Sequence, residues 1–225
     1  MDHFNFYSSP KEKYDTLKKL MEEEKEYFEK TYNISKYINE QVRFCVYTPS
    51  FNNAHNRIYL RNLDSIFQQE YTNYHLIYVD DASTDGTGDY VEKYMIENKI
   101  PPSMYKIVRN KASMKGAHNI YVAGNNYCKP GEIMVLVDGD DMIIGRQVFA
   151  LLNAYYQQNK PAIVYTQFLF IRDGHIGNAT NREIDVNTLV AGNWRKKRDF
   201  VSWHLKTFYT DLFRMIKQED MKLDH

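Results

Sequence analysis

Short apolar runs of strand length alternate with amphipathic segments of helix length along most of the chain. The apolar runs cover residues 42–47, 75–79, 104–108, 132–137 and 162–171. The segments between them, at residues 55–69, 90–98, 112–127 and 146–157, carry apolar side chains at helical spacing. Strand–helix alternation of this kind favours a largely parallel sheet with helices on both faces. The sequence therefore predicts an α/β fold.

Polar segments follow three of the predicted strands. Residues 48–53 follow the first strand, Asp80 and Asp81 follow the second, and residues 138–141 follow the fourth. In open α/β sheets, ligands bind outside the carboxyl ends of the strands. We therefore expect these three segments to converge on one ligand site.

The strongest of these signals is the sequence Asp138-Gly139-Asp140-Asp141 after the apolar run 133–137. Ionised carboxylates leave water only when they are paired, hydrogen-bonded or bound to a cation. An Asp-x-Asp sequence at a strand end suits a hard divalent ion, Mn²⁺ or Mg²⁺, which can in turn hold a diphosphate. The alternative is an acidic turn that only ends the strand, because Asp and Gly are common turn formers.

The paired carboxylates of Asp80 and Asp81 are a second candidate site. Residues 83–85 are good capping residues for the helix that follows, so the start of that helix has a local explanation. Capping does not explain two Asp residues directly at the strand end. A carboxylate there can accept a hydrogen bond from the imide N–H of uracil or from a ribose hydroxyl.

Five segments, taken in order and spacing, resemble the GT-A-type family 2 glycosyltransferases, which are inverting sugar transferases. The matching segments are residues 48–52, 62–69, 79–87, 110–119 and 136–141. The resemblance covers roughly residues 42–141 and fades after them. It implies a GT-A, Rossmann-like fold and a hexosyltransferase that moves a sugar from a UDP-sugar to an acceptor hydroxyl with inversion, with Mn²⁺ or Mg²⁺ as cofactor.

The resemblance also implies roles for individual residues. Asp140 is implied as the main metal ligand. Asp138 is implied to bind the ribose, or to bind the metal either directly or through a water molecule. Asp80 or Asp81 contacts the base. The remaining nucleotide-sugar contacts are expected from Pro49, Phe51, Asn52 and Lys115. For Lys115, a solvated surface lysine is an equally weighted alternative to a phosphate ligand.

The segment after residue 142 carries weaker expectations. His204 is a candidate third metal ligand, with a hydrogen-bonded core histidine in a strand as the competing interpretation. Inverting transfer needs a carboxylate base, and Glu219 and Asp220 are weak candidates because a charged terminal run is usually frayed. We therefore expect a truncated catalytic domain whose base is one of these residues or is absent. A non-catalytic nucleotide-sugar-binding or assembly module of a larger glycosylation protein stays open as the alternative.

The predicted domain division places an N-terminal helical extension at residues 1–40 and the transferase domain at residues 41–225. Residues 41–141 form its nucleotide-binding half, and residues 142–225 form an acceptor-side half that is expected to be incomplete. Apolar positions recur at helical spacing between residues 14 and 32. This helix is a candidate homodimer contact, and packing on its own domain is the alternative.

Composition and charge narrow the possible classes of protein and of binding partner. The 225 residues are 43% hydrophobic, enough for a sizeable core, and the formal net charge of +0 argues against a nucleic-acid partner. The two cysteines are expected to be unpaired core residues in a reducing compartment. No apolar stretch reaches the length of a membrane span, and the N-terminus is polar, so a soluble cytoplasmic protein is expected. The acceptor (glycan, protein or lipid) is not indicated.

Overall fold

The structure is a computed structural model that describes residues 29–166, 168–170, 176–177 and 205–221, together with positions 19, 22–23, 26–27, 187 and 190. Most of the predicted N-terminal helix and the segment that contains His204 lie outside the described residues. Among the described residues, no helix combines the length and apolar character needed to cross a membrane.

The central feature is a sheet whose described strands follow the order β3-β2-β1-β4-β8-β5. Strands β1 to β4 pair in parallel, and β8 pairs antiparallel with both β4 and β5. A separate antiparallel pair is formed by β6 and β7. The strands are β1 Phe44–Ser50, β2 Tyr74–Asp80, β3 Tyr105–Arg109, β4 Ile133–Leu136, β5 Ile163–Tyr165, β6 Phe168–Leu169, β7 Ile176–Gly177 and β8 Lys206–Tyr209.

Helices connect the strands as the alternation predicts. The α-helices are α1 Ile34–Tyr37, α2 Ile58–Phe67, α3 Thr87–Glu97, α4 Lys115–Val122, α5 Val148–Asn159 and α6 Thr210–Phe213. A π-helical turn, Ala123–Tyr127, continues α4. Short 3₁₀ turns occur at His55–Arg57, Pro102–Met104 and Gln218–Met221.

The core lies on both faces of the sheet. Along β1, Phe44 and Val46 join an apolar cluster on one face, whereas Cys45 and Tyr47 join a second cluster on the other. Burial on both faces is typical of parallel strands flanked by two helical layers. The predicted α/β fold with a mostly parallel central sheet is confirmed.

Several local predictions differ from the structure. Pro49 and Asp80 are predicted to follow their strands, but β1 extends to Ser50 and β2 to Asp80, so both residues lie at the ends of strands. The long predicted strand at residues 162–171 is divided into β5 and β6. The break coincides with Thr166, whose backbone N–H donates to the carbonyl oxygen of Leu205 and whose hydroxyl accepts from the Leu205 N–H. The predicted helix at residues 112–127 begins only at Lys115, because residues 113–115 instead donate hydrogen bonds to Asp81.

The expectation of two unpaired cysteines is wrong. Cys45 on β1 and Cys128 after the π-helical turn form a disulfide that joins residues 83 positions apart in the chain. Such a pair gives no sequence signal, since neither cysteine belongs to a short spacing motif. Disulfides persist mainly in oxidising compartments, so the argument for a reducing compartment no longer holds. The cytoplasmic location stays a prediction.

The end of the predicted N-terminal extension packs on the main domain. The ring of Tyr32 lies 5.4 Å from the ring of Tyr155 on α5, in an edge-on arrangement. The amide of Asn153, also on α5, donates to the carbonyl oxygen of Tyr37 at 2.9 Å. These contacts bear only on residues from about 32 onward, and dimerisation through the extension stays a prediction.

Candidate active site

The end of β1 and the Asp-Gly-Asp turn are in direct contact. The backbone N–H of Gly139 donates to the carbonyl oxygen of Pro49 at 2.9 Å. A β-carbon at position 139 would lie 2.7 Å from that oxygen, 2.7 Å from the side-chain nitrogen of Asn53 and 2.9 Å from the Cβ of Ser50. Only glycine fits there without displacing backbone, so the middle residue of the turn is dictated by packing.

The carboxylates of this turn differ in exposure. Asp138 is half-buried, whereas Asp140 is exposed, and no group in the described part of the chain pairs with the Asp140 carboxylate. The Asp141 N–H donates to the carbonyl oxygen of Asp138 at 3.0 Å and closes the turn. A half-buried carboxylate beside an unpaired one supplies the hard oxygen ligands that Mn²⁺ and Mg²⁺ prefer. The residues present therefore fit a divalent metal ion.

Tyr47 connects the turn with the second strand end. Burial raises the pKa of Tyr47 well above its ordinary value, and the negative charges of Asp138 and Asp81 raise it further. Both carboxylates therefore act on the same side chain, as expected if the ends of β2 and β4 converge. The parallel registers of β1 with β2 and with β4 bring these ends to one edge of the sheet.

Asp81 accepts four hydrogen bonds from the segment that leads into α4. They come from the side chains of Asn110 and Ser113, at 2.7 and 2.8 Å, and from the backbone N–H groups of Met114 and Lys115, at 2.8 and 3.2 Å. Burial opposes ionisation, but hydrogen bonds from neighbouring side chains and from the Met114 N–H outweigh it. They hold the pKa of Asp81 well below its ordinary value. Asp81 is therefore ionised and fully engaged within the protein.

Asp80 has fewer partners. One carboxylate oxygen accepts from the Ser83 N–H at 3.1 Å, and the other lies 3.9 Å from Nε of Arg109. Arg109 itself contacts Asp89 more closely, at 2.6 Å. Asp80 is buried but keeps unused acceptor capacity, in contrast to Asp81.

Phe51 and Asn52 lie in a loop that is hydrogen-bonded to the loop after β2. Asn52 has φ +55°, in the left-handed region that Asn tolerates better than most residues. Its N–H donates to the Ser83 hydroxyl, and its side-chain oxygen accepts from the Thr84 N–H, both at 2.9 Å. The side chain of Phe51 is 56% exposed. The loops after β1 and β2 are thus tied together, with one aromatic ring left open to solvent.

Of the remaining predicted residues, three lie at exposed positions and one lies outside the described part of the chain. Lys115 is exposed, and its backbone, with φ +67°, points its N–H at Asp81. Glu219 and Asp220 lie in the exposed 3₁₀ turn, where Asp220 accepts from the Lys217 N–H and Glu219 lies 3.6 Å from the Lys217 ammonium. His204 lies outside the described residues.

The structure also places Lys206 next to the site, a residue for which the sequence suggested no role. Lys206 stands opposite Leu136 in the β4–β8 register, two residues before Asp138. Burial lowers the pKa of Lys206, while the negative charge of Asp138 opposes that shift. A half-buried cation therefore lies near the turn. The signal in the sequence is a lysine within a strand-forming run, but only the pairing of β8 with β4 reveals its neighbour.

A second cluster of ligand-type side chains lies at the opposite end of the strands. Cys45, His75 and Glu132 come within 4.8 Å of one another and are buried. The carboxylate of Glu132 accepts from Arg43 at 2.9 Å, from the Lys129 N–H at 2.7 Å, and is 3.0 Å from Nε2 of His75. Because the Cys45 sulfur is in the disulfide and Glu132 is fully paired, this cluster is structural.

Comparison with known proteins defines the class. The model of the family described as Glycosyl transferase family 2 matches residues 45–223. The glycosyltransferase GlyG of Streptococcus pneumoniae serotype 4 is 22% identical over 169 residues, which is 70% of this chain and 51% of GlyG. The chain therefore spans about half the length of this curated relative.

Two solved structures share the fold. TarS 1–349 of S. aureus matches with a TM-score of 0.58 and 22% identity, covering 77% of this chain and 49% of the TarS chain. The mannosyltransferase PcManGT of Pyrobaculum calidifontis matches with a TM-score of 0.50 and 23% identity, covering 65% of this chain and 43% of its own. TarS 1–349 has been solved in complex with UDP-GlcNAc, and PcManGT in complex with GDP-Man and Mn²⁺.

The fold and the polar strand ends thus define a protein of the GT-A class. More particularly, the chain belongs to glycosyl transferase family 2, because the family model matches well over half of its length.

Proposed function

We propose that this chain is the catalytic domain of a metal-dependent glycosyltransferase, which moves a sugar from a UDP-sugar to an acceptor hydroxyl with inversion. The observation that carries the proposal is the unpaired, exposed carboxylate of Asp140 beside half-buried Asp138. Both lie at the edge of the sheet where the loops after β1 and β2 begin. A nucleotide-sugar donor and a divalent ion are further supported by the ligands named for TarS and PcManGT.

In this proposal, Asp138 and Asp140 hold the metal ion, with His204 as a candidate third ligand. When bound, the ion stabilises the negative charge that develops on the diphosphate leaving group. Lys206 adds a positive charge that interacts with Asp138. Lys115, exposed at the start of α4, remains a candidate phosphate contact.

The base of the nucleotide is assigned to the edge between β1 and β2. Phe51 offers an exposed ring for stacking, and Pro49 and Asn52 shape the loop that carries it. Of the two carboxylates, Asp80 is the better candidate for the uracil imide, because Asp81 already accepts four hydrogen bonds from the protein. We assign Asp81 to holding residues 110–115 beside the nucleotide.

The alternative is a nucleotide-sugar-binding or assembly module without turnover. One observation favours it: both candidate bases, Glu219 and Asp220, interact within their own turn at Lys217. A carboxylate base must instead lie across the anomeric carbon from the leaving group.

Calorimetric titration with UDP, with and without Mn²⁺, tests the donor site. We expect binding that depends on Mn²⁺ in the parent chain and is lost in Asp140→Asn. The matched control is Asp211→Asn, which removes another exposed aspartate, one that accepts from the Gly131 N–H before β4. A parent chain that is folded yet binds no UDP under either condition contradicts the proposal. Release of free sugar from UDP-sugars then separates an enzyme from a binding module.

A further inference from the structure

The Asp-Gly-Asp turn is held from behind by a side chain of helix α2. The amide nitrogen of Asn62 donates to the carbonyl oxygens of Asp138 and Asp141, both at 2.9 Å. Asn62 is fully buried, at 0% exposure. One buried amide group therefore bridges the first and last residues of the turn that carries Asp140.

The orientation of this amide is fixed by its partners. Two carbonyl oxygens can only be met by the NH₂ group of Asn62. Its side-chain oxygen is buried and has no hydrogen-bond partner among the described residues. Burying an amide oxygen that has no hydrogen-bond partner costs stability. Stability alone therefore does not explain an asparagine at this position, and its hydrogen bonds to the turn do.

Two further side chains continue this contact along the following loop. Ser65 lies three positions after Asn62 on the same side of α2, and Gln69 lies two residues after the end of that helix. The Ser65 hydroxyl accepts from the Ile143 N–H at 3.0 Å. The Gln69 side chain donates to the carbonyl oxygen of Gly145 at 2.6 Å and accepts from the N–H of Phe149 at 3.2 Å.

These contacts span a segment that forms few hydrogen bonds of its own. Residues 141–144 have no regular secondary structure, and α5 begins only at Val148. The backbone of the turn that carries Asp140 is thus held by a side chain 76 and 79 positions away from its two acceptors. A ligand geometry held by packed side chains of a rigid helix is more precise than one held by a free loop.

We propose that Asn62, supported by Ser65 and Gln69, is a positioning residue that fixes the Asp138–Asp141 turn in its metal- and diphosphate-binding geometry. This inference rests on the donor site proposed above. Asn62 touches neither the metal nor the nucleotide, so its effect is exerted through the backbone carbonyl groups of the turn. Its removal should weaken the dependence of UDP binding on Mn²⁺.

The test compares two substitutions of similar size with a matched control. Asn62→Leu removes both hydrogen bonds, and Asn62→Asp places an oxygen against the two carbonyl groups. The control is Asn153→Leu on α5, where an equally buried asparagine accepts from the Val42 N–H at 3.0 Å and donates to the Tyr37 carbonyl at 2.9 Å. Both positions thus lose two hydrogen bonds to the backbone, but only Asn62 contacts the turn.

The readout is the ratio of UDP affinities measured with and without Mn²⁺. We expect this ratio to fall about tenfold or more in both Asn62 variants and to be unchanged in Asn153→Leu, even where thermal stability drops equally. Because Asn62→Leu could fail to fold, Ser65→Ala is measured as well. It removes the hydrogen bonds that the Ser65 hydroxyl accepts from the Ile143 N–H and donates to the Asn62 carbonyl oxygen, and it should lower the ratio about threefold.

The two proposals fail in different ways. If the parent chain binds UDP with Mn²⁺ and the folded Asn62 and Ser65 variants keep the parent ratio, the positioning role is wrong and the donor site stands. If Asn153→Leu lowers the ratio as much as Asn62→Leu, the effect is general destabilisation and the role is also wrong. If the parent chain binds no UDP, the donor site is wrong, and the inference falls with it.

Discussion

Gly139 and Pro49 are packed so closely that a β-carbon on Gly139 would stand 2.7 Å from the carbonyl oxygen of Pro49. The contact joins the end of β1, whose following loop is assigned to the nucleotide, to the turn assigned to the metal. Because the obstructing atom belongs to the backbone, the two segments would have to separate to admit any side chain.

Gly139→Ala is therefore expected to lower the free energy of unfolding by about 1–3 kcal/mol, the usual effect of overpacking. It should also abolish most Mn²⁺-dependent UDP binding. Chemical denaturation and calorimetry measure the two effects. Gly116→Ala is the control for stability, since a β-carbon there meets nothing within 4 Å. A Gly139→Ala variant with parent stability and affinity would contradict the close packing.

The hydrogen bonds to Asp81 predict a specific acid sensitivity. Because the folded-state pKa is lowered, the stability that ionised Asp81 contributes is complete above its unfolded pKa of about 3.9. That contribution is lost as the pH falls towards the folded-state value. Asp81→Asn should lower the free energy of unfolding by about 2 kcal/mol at pH 7, and the gap to the parent should narrow below about pH 4.

Urea denaturation of both proteins between pH 2 and pH 7 measures this gap. Asp89→Asn is the control, because the 77% exposed carboxylate of Asp89 forms only a surface ion pair with Arg109. A gap between the parent and Asp81→Asn that stays constant across the pH range would show that the charge of Asp81 is not what stabilises the loop.

The disulfide between Cys45 and Cys128 should contribute strongly to stability, since it closes a long loop. A separation of 83 residues corresponds to about 4.5 kcal/mol in the chain-entropy treatment. The double variant Cys45→Ala/Cys128→Ala should therefore unfold at markedly lower denaturant concentration than the oxidised parent. A reducing agent should shift the parent towards the variant and leave the variant unchanged. Equal stability of parent and variant would show that the bond is not formed in solution.

Local sequence patterns accounted for most of the fold, and non-local contacts account for what they missed. The apolar runs at β1, β2 and β4 are long, buried and bounded by turn residues, so alternation alone was enough to predict a parallel sheet. The insertion of β8 between β4 and β5 could not be predicted, because its partners lie more than 40 residues away in the chain.

The residues of the candidate site likewise divide into those with a local sequence signal and those placed by non-local contacts. Residues at or shortly after a strand end, such as Asp80 and Asp140, carry a local signal because a carboxylate there is unusual. Asn62 belongs to a matching segment but received no role, since its two acceptors are 76 and 79 positions away. The four hydrogen bonds that Asp81 accepts could likewise not be predicted, because their donors belong to residues about 30 positions later in the chain.

Lys206 supplies the last prediction. Its side chain is half-buried; burial lowers the pKa of Lys206, and the negative charge of Asp138 opposes that shift. A diphosphate bound at this edge would bring further negative charge close to the ammonium group. Lys206→Met keeps the length of the side chain and removes the charge, so UDP affinity should fall about tenfold, or about 1.4 kcal/mol. Calorimetric titration at fixed Mn²⁺ measures the change.

The control for Lys206→Met is Lys217→Met, which removes an exposed lysine that contacts only its local neighbour Glu219 among the charged groups described. Lys206→Met should also leave stability unchanged or raised, because it removes a charge from a partly buried position. Unchanged UDP affinity in Lys206→Met would mean that the ammonium group neutralises Asp138 rather than the donor. In that case, affinity for Mn²⁺ alone should rise, since the lysine would no longer compete with the metal for that carboxylate.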